Sequence, residues 1–144
     1  MFKKIFRFLK FNEHKLLTIQ AYFYSAIYKY EVFHIESQKL HAKWGKEGED
    51  STRTLSIEQY RYARKVSYCV NQVCNKTSWE SKCLVRALTA RKLLSNKKIP
   101  STLYLGCGKN EDGTMNAHAW LRSGECLVTG GNGEGYAVVS RFSS

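Results

Sequence analysis

No apolar run in this sequence approaches the ~20 residues that a membrane-spanning helix requires, and the lysine-bearing start MFKKIFRFLKF is not followed by an apolar stretch of signal-peptide length. Together these absences predict a protein that is neither inserted into a membrane nor secreted. The five cysteines (Cys69, Cys74, Cys83, Cys107 and Cys126) are odd in number and contain no C-x-x-C spacing. That argues against a disulfide framework and a ribbon-type zinc site, fits a reducing cytoplasm, and calls for no metal or cofactor. A zinc cluster of Cys83, Cys107, Cys126 and His118 fails on the same ground, for want of closely paired ligands. Internal repeats and low-complexity tracts are also missing, which excludes solenoid arrays.

What is present is charge, unevenly spread. The net charge is +11, and residues 51–100 carry 11 basic side chains against 2 acidic ones, whereas residues 101–144 carry 3 against 4. A field of that kind attracts an acidic peptide, a nucleotide or a nucleic acid and does not by itself choose among them.

Periodicity divides the chain. In residues 2–11 the apolar Phe2, Ile5, Phe6 and Leu9 recur at helical spacing among lysines and an arginine, a basic amphipathic turn whose candidate contacts are a membrane surface, a partner protein or the rest of the chain. After Asn12, a candidate N-cap, Leu16, Ile19, Phe23, Ile27 and Tyr30 continue a stripe, widened by Tyr22, Tyr24 and Tyr28, expected to face a core or an interface. The segment HAKWGKEGEDSTRT, residues 41–54, reads as a linker, dividing a helical arm (1–50) from a second region (51–144). Ser56 and Gln59 form a capping box before a helix whose Tyr62, Val66, Cys69, Val70 and Val73 share a face. Thr77 and Glu80 form another before the Leu/Ala-rich ESKCLVRALTARKLLSNK, expected to be buried. Beyond Pro100, the segments STLYLGCG, NAHAWLR, ECLVTGG and YAVVSRF read as an antiparallel sheet. Helices first and strands last is an α+β order.

Cys83 and His118 then stand out. Cys83 falls in the opening turns of the buried helix, where the helix N-terminus favours thiolate over thiol. A cysteine nucleophile needs a base to take and return protons, and His118 on the sheet is the candidate. Cys69 and Cys74 read as small buried residues; Cys107 and Cys126 sit among strand residues with no base beside them. Taken alone, His118 beside Trp120 would read as a packed core histidine.

The pairing of a helix-borne cysteine with a sheet-borne histidine is shared by papain-like and transglutaminase-like enzymes. The ordered set W-x3-CLVRALTARKLL, IPSTLYLGCGK and AHAWL resembles the transglutaminase-like leader peptidases of lasso-peptide biosynthesis, over residues 57–144. The resemblance implies a transglutaminase/papain-like core with its nucleophile at a helix N-terminus. It also implies a cytoplasmic cysteine peptidase that cuts the leader from a ribosomally made precursor peptide, ahead of an ATP-dependent lasso cyclase. Residues 1–50 are too poor in strand pattern to be a fused leader-recognition domain, so a separate leader-recognition protein is expected and no nucleic acid. Oxyanion donors would be the Cys83 N–H and the indole N–H of Trp79.

One part of the family pattern is missing. Relatives orient the histidine with an Asp on the next strand, and no Asp follows Asp112. With Ser123 and Gly124 as a two-residue hairpin loop, His118 would lie opposite Thr129, making Thr129 the candidate orienting group. Asn132 is the alternative if the strand bulges at the glycines. Competing readings are an acyl or amide transferase with the same dyad, and a noncatalytic basic adaptor for an acidic peptide or a nucleic acid.

Overall fold

The computed structural model describes residues 3–4, 15–35, 39–40, 43–76 and 83–144. Among the described residues, helices α1 (Lys15–His34), α2 (Ile57–Lys76) and α3 (Cys83–Asn96) pack with strands β1 (Lys46–Glu47), β2 (Thr102–Lys109), β3 (Met115–Ser123), β4 (Cys126–Thr129) and β5 (Ala137–Ser143). The sheet has the order β1-β5-β2-β3-β4, and each pair of neighbours is antiparallel. Helix α3 touches α1, α2 and strands β2, β3 and β4, which makes it the shared wall of the core.

Local signals account for much of this. Helix α2 starts on a reciprocal capping box, with the Gln59 N–H donating to Ser56 Oγ and the Ser56 N–H donating to Gln59 Oε1, both at 3.1 Å. Its face Val66, Cys69, Val70 and Val73 is buried as the spacing predicts, with Tyr62 packed at its margin. Helix α3 closes on Lys98, in the left-handed region at φ 57°, with the Ile99 N–H bonded back to the Leu94 carbonyl at 3.0 Å. The capping pair Thr77 and Glu80, and the basic segment 2–11 apart from Lys3 and Lys4, lie outside the described residues.

Two expectations are corrected. As a core face, the stripe Leu16, Ile19, Phe23, Ile27 and Tyr30 of α1 is corrected: it is exposed on this chain, while Tyr22, Tyr24 and Tyr28 pack against the core and Leu17, Thr18, Ala21 and Ser25 are buried in it. Small side chains decide this: Ala21 and Ser25 are fully buried because they let α1 approach α2 and α3 closely, where bulky aromatics would hold the helices apart. The segment 41–54 does not behave as a linker either. It supplies β1, Trp44 in the common core, and a loop at residues 50–52 fastened to the sheet.

The fastening is Arg122, only 6% exposed. Its Nε donates to Tyr104 Oη at 3.1 Å. Nη1 donates to the carbonyls of Thr52 at 3.2 Å and Gly124 at 2.8 Å, and Nη2 to the Ser51 carbonyl at 3.2 Å and Thr102 Oγ1 at 3.4 Å. The Tyr104 hydroxyl passes the chain on to Asp50 at 2.9 Å, and Asp50 pairs with Arg141 at 3.2 Å. Since a buried guanidinium is tolerable only when its donors are used, Arg122→Met should cost about 2–4 kcal/mol in urea unfolding, and Arg122→Lys nearly as much because one ammonium cannot span these acceptors. A loss under 0.5 kcal/mol for both, on the ~1 kcal/mol scale of a single bond, would mean the clamp is ornamental.

Candidate active site

Period-two alternation on β3 puts Asn116, His118, Trp120 and Arg122 on one face of the sheet, and Ala119 and Leu121 on the face turned to α3. Trp120 stacks on its cross-strand partner Tyr104, with centroids 5.4 Å apart and planes 12° apart. Around the indole the chain is glycine. A Cβ at Gly106 would lie 2.6 Å from the Trp120 ring, one at Gly133 2.4 Å from it, and one at Gly130 2.8 Å from Trp120 Cβ. The run TGGNGEG therefore folds as a loop laid onto Trp120, with Gly130 at φ 75° and Gly133 at φ 76°.

That loop holds the histidine. His118 Nε2 lies 2.7 Å from the carbonyl oxygen of Gly130. A carbonyl only accepts, so Nε2 carries the proton, and in the neutral imidazole Nδ1 is left as the free base. The ring is also packed by Trp120, at 5.8 Å between centroids, and by Tyr136 at 4.8 Å, and the Tyr136 hydroxyl accepts a bond from Asn116 Nδ2 at 3.0 Å.

Cys83 opens α3 as described and is half-buried. Its Sγ accepts the backbone N–H of Ala119, the residue after His118, at 3.4 Å. The thiol thus lies against the β3 backbone one residue past His118, which is 35 positions further along the chain than Cys83. The other thiols differ. Cys69, Cys74 and Cys126 are buried, and burial pushes the Cys69 and Cys126 thiols up from the ordinary cysteine value. Cys107 is half-buried on β2.

The expected orienting residues are placed elsewhere. Ser123 pairs with Cys126 and Arg122 with Leu127, so the hairpin loop is Gly124 and Glu125, and Thr129 lies opposite Leu121 rather than His118. The reasons are two: Gly124 adopts φ 58°, and a two-residue loop with one left-handed position takes its glycine first, while the register shifts by one more residue between Leu121 and Arg122. Thr129 is buried with a hydroxyl that makes no hydrogen bond. Asn132 is exposed and spends Oδ1 on the Glu134 N–H at 2.9 Å, an Asx turn within its own loop. Trp79 lies outside the described residues. Sequence reasoning missed Gly130, Tyr136 and Asn116; the signals for them were the glycine run and the position of Asn116 two residues before His118.

The sequence model of the transglutaminase-like superfamily matches residues 32–141, more than half of the chain. The protein belongs to the transglutaminase-like superfamily, whose fold serves cysteine proteases and transferases. No curated protein and no solved structure matches it. Among the described residues no helix is long and apolar enough to cross a membrane.

Two measurements check the histidine's setting. Ring nitrogen NMR of the neutral protein should find His118 protonated at Nε2; protonation at Nδ1 would contradict the Gly130 contact. Thr129→Val, which removes an unused buried hydroxyl, should leave that pattern unchanged and alter stability by no more than about 1 kcal/mol, in either direction.

Proposed function

We propose that this protein is a cysteine peptidase that removes the leader from a ribosomally synthesised lasso-peptide precursor, with Cys83 as nucleophile and His118 as general acid and base. The observation that supports the proposal is the hydrogen bond from the Ala119 N–H, next in the chain to His118, to Cys83 Sγ, together with an imidazole held through Nε2. The superfamily match and the ordered resemblance of residues 57–144 support it.

In this reading His118 Nδ1 takes the thiol proton, and the sulfur attacks the carbonyl at the leader–core junction to form a tetrahedral oxyanion. The Cys83 N–H and the Trp79 indole N–H are the proposed donors to that oxygen. The imidazolium gives its proton to the departing amine, leaving a thioester. The imidazole next takes a proton from water, the hydroxide adds to the thioester, and the intermediate expels the sulfur, which regains the proton. A carbonyl acceptor holds the ring through both protonation states of Nδ1 but brings no formal charge to balance the imidazolium, as a carboxylate would. Slow turnover is the expected consequence. The proposed partners are the precursor peptide, a separate leader-recognition protein and the ATP-dependent cyclase, with the basic surface of residues 51–100 meeting acidic groups. The proposed setting is the cytoplasm, and no cofactor is invoked.

A thiol-directed peptide electrophile, located by mass spectrometry, should modify Cys83 selectively, with half-buried Cys107 as internal control. His118→Ala should slow that reaction about 100-fold or more. Equal labelling of all the cysteines, unchanged by the substitution, would end the dyad proposal and favour a noncatalytic adaptor. Cleavage of a candidate precursor with release of free leader acid, abolished in Cys83→Ala, supports the peptidase; transfer to an added amine in place of hydrolysis would make the enzyme an acyl transferase. Binding of an acidic leader should weaken steeply with salt, and an affinity that stays flat from low to physiological salt would exclude a role for the basic surface.

A further inference from the structure

A second site lies away from the cysteine, in the cavity of about 310 Å³ between α1, α3 and the start of β1. That volume falls in the ~300–1,000 Å³ range of small-molecule sites. Its wall includes Arg91, Lys92 and Lys43, with Tyr28 and Glu31 from α1 and the backbone of Gly45. Arg91 is 7% exposed, and its Nη1 is buried without a hydrogen-bond partner. Gly45, at φ 96°, stands beside it: an added Cβ there would lie 2.1 Å from the Ser143 carbonyl oxygen and 2.7 Å from Arg91 Nη2. Among the described residues no acid forms an ion pair with Arg91; the acidic side chain in the wall, Glu31, leans to Lys43 at 3.9 Å, and Ser144, the last residue of the sequence, also lines the cavity.

An unpaired buried cation is among the costlier features a fold carries, and it persists where something outside the chain completes it. The structure assigns this cavity as a binding site for a small oxyanion, a phosphate or carboxylate group, received by Arg91 with Lys43 and Lys92 at the rim. Side-chain chemistry supports the assignment. Burial lowers the Arg91 pKa to about 10, which still leaves it charged at neutral pH. Burial, with Glu31 nearby, raises the Tyr28 hydroxyl to about 12, so it stays protonated and can donate. Two cationic rim residues and a neutral phenol around one guanidinium suit an anion. The geometry of the guanidinium suits the two oxygens of a phosphate or carboxylate better than a halide.

The test is titration of the full chain with inorganic phosphate, and separately with acetate, against chloride at equal ionic strength, read by amide and Arg Nε–H NMR shifts and by thermal unfolding. Saturable shifts centred on Gly45 and Arg91, with Tm raised about 4–5 °C at ten times Kd, support the site. A response to phosphate alone identifies a phosphoryl ligand, and an equal response to acetate a carboxylate. Arg91→Met should fold, since an apolar side chain removes the buried charge, and should lose the response. If that variant does not fold, Lys43→Met should weaken phosphate binding about threefold or more. No difference between phosphate or acetate and chloride, a response retained in Arg91→Met, or an affinity unchanged in Lys43→Met would overturn the assignment. Peptidase activity enters none of these readouts, so the outcome is independent of the role of Cys83.

Discussion

Everything at the cysteine–histidine edge depends on the burial of one indole. Trp120 is 5% exposed although it lies on the sheet face away from α3, covered by the rings of Tyr104, His118 and Tyr136 and by glycine backbone. Tyr104 stacks on one side of it, Gly106 lies beneath, and the 130–135 loop closes over it at Gly130 and Gly133. An aromatic ring of this size buries ~150–250 Å², enough to fix a loop that has little apolar surface of its own. The loop in turn presents the Gly130 carbonyl to His118 and Tyr136 to the ring face. Placing the imidazole is therefore a packing problem solved at Trp120, two residues away.

Helix α3 couples this edge to the rest of the molecule. It carries Cys83 at its described start and the buried Arg91 two turns later, about 12 Å along the axis. Eight of its residues are buried, and α1, α2 and the sheet all press on it, so the thiol is held by an element with little freedom to shift. On the opposite face of the sheet, Arg122 does comparable work with hydrogen bonds, tying the residues between β1 and α2 to β2 and the hairpin. The superfamily match begins at residue 32, within α1, in keeping with a core that α1 and the segment after it help to build.

Local chemistry was legible in the sequence. The Ser56/Gln59 capping box, the buried face of α2 and the four strands after Pro100 are short-range patterns, and the chain obeys them. The superfamily was legible too, through the ordered motifs more than through spacing. What was not legible depended on long-range geometry. The hairpin register turned on whether Gly124 stood first or second in its loop and on a one-residue register shift between Leu121 and Arg122, which together moved Thr129 from His118 to Leu121. Which side of α1 meets the core was not legible because size outvoted hydrophobicity: Ala21 and Ser25 permit close packing that Phe23 and Tyr30 would prevent. Arg122 gave no sign in the sequence of being buried, since its acceptors are mostly main-chain carbonyls scattered over more than 70 positions.

The group that fixes the imidazole belongs to the main chain, and this sets it apart from a triad carboxylate. Every residue has a carbonyl, so no codon change can delete this one; it can only be carried away by a shift of the loop. A survey of side chains one at a time would find the cysteine, the histidine and the tryptophan, and would pass over the acceptor. Its genetic trace would be a ban on bulk at Gly130 and Gly133, with no chemical preference at either position. Selection here acts on the space around a peptide unit, and the histidine's partner is inherited as a shape.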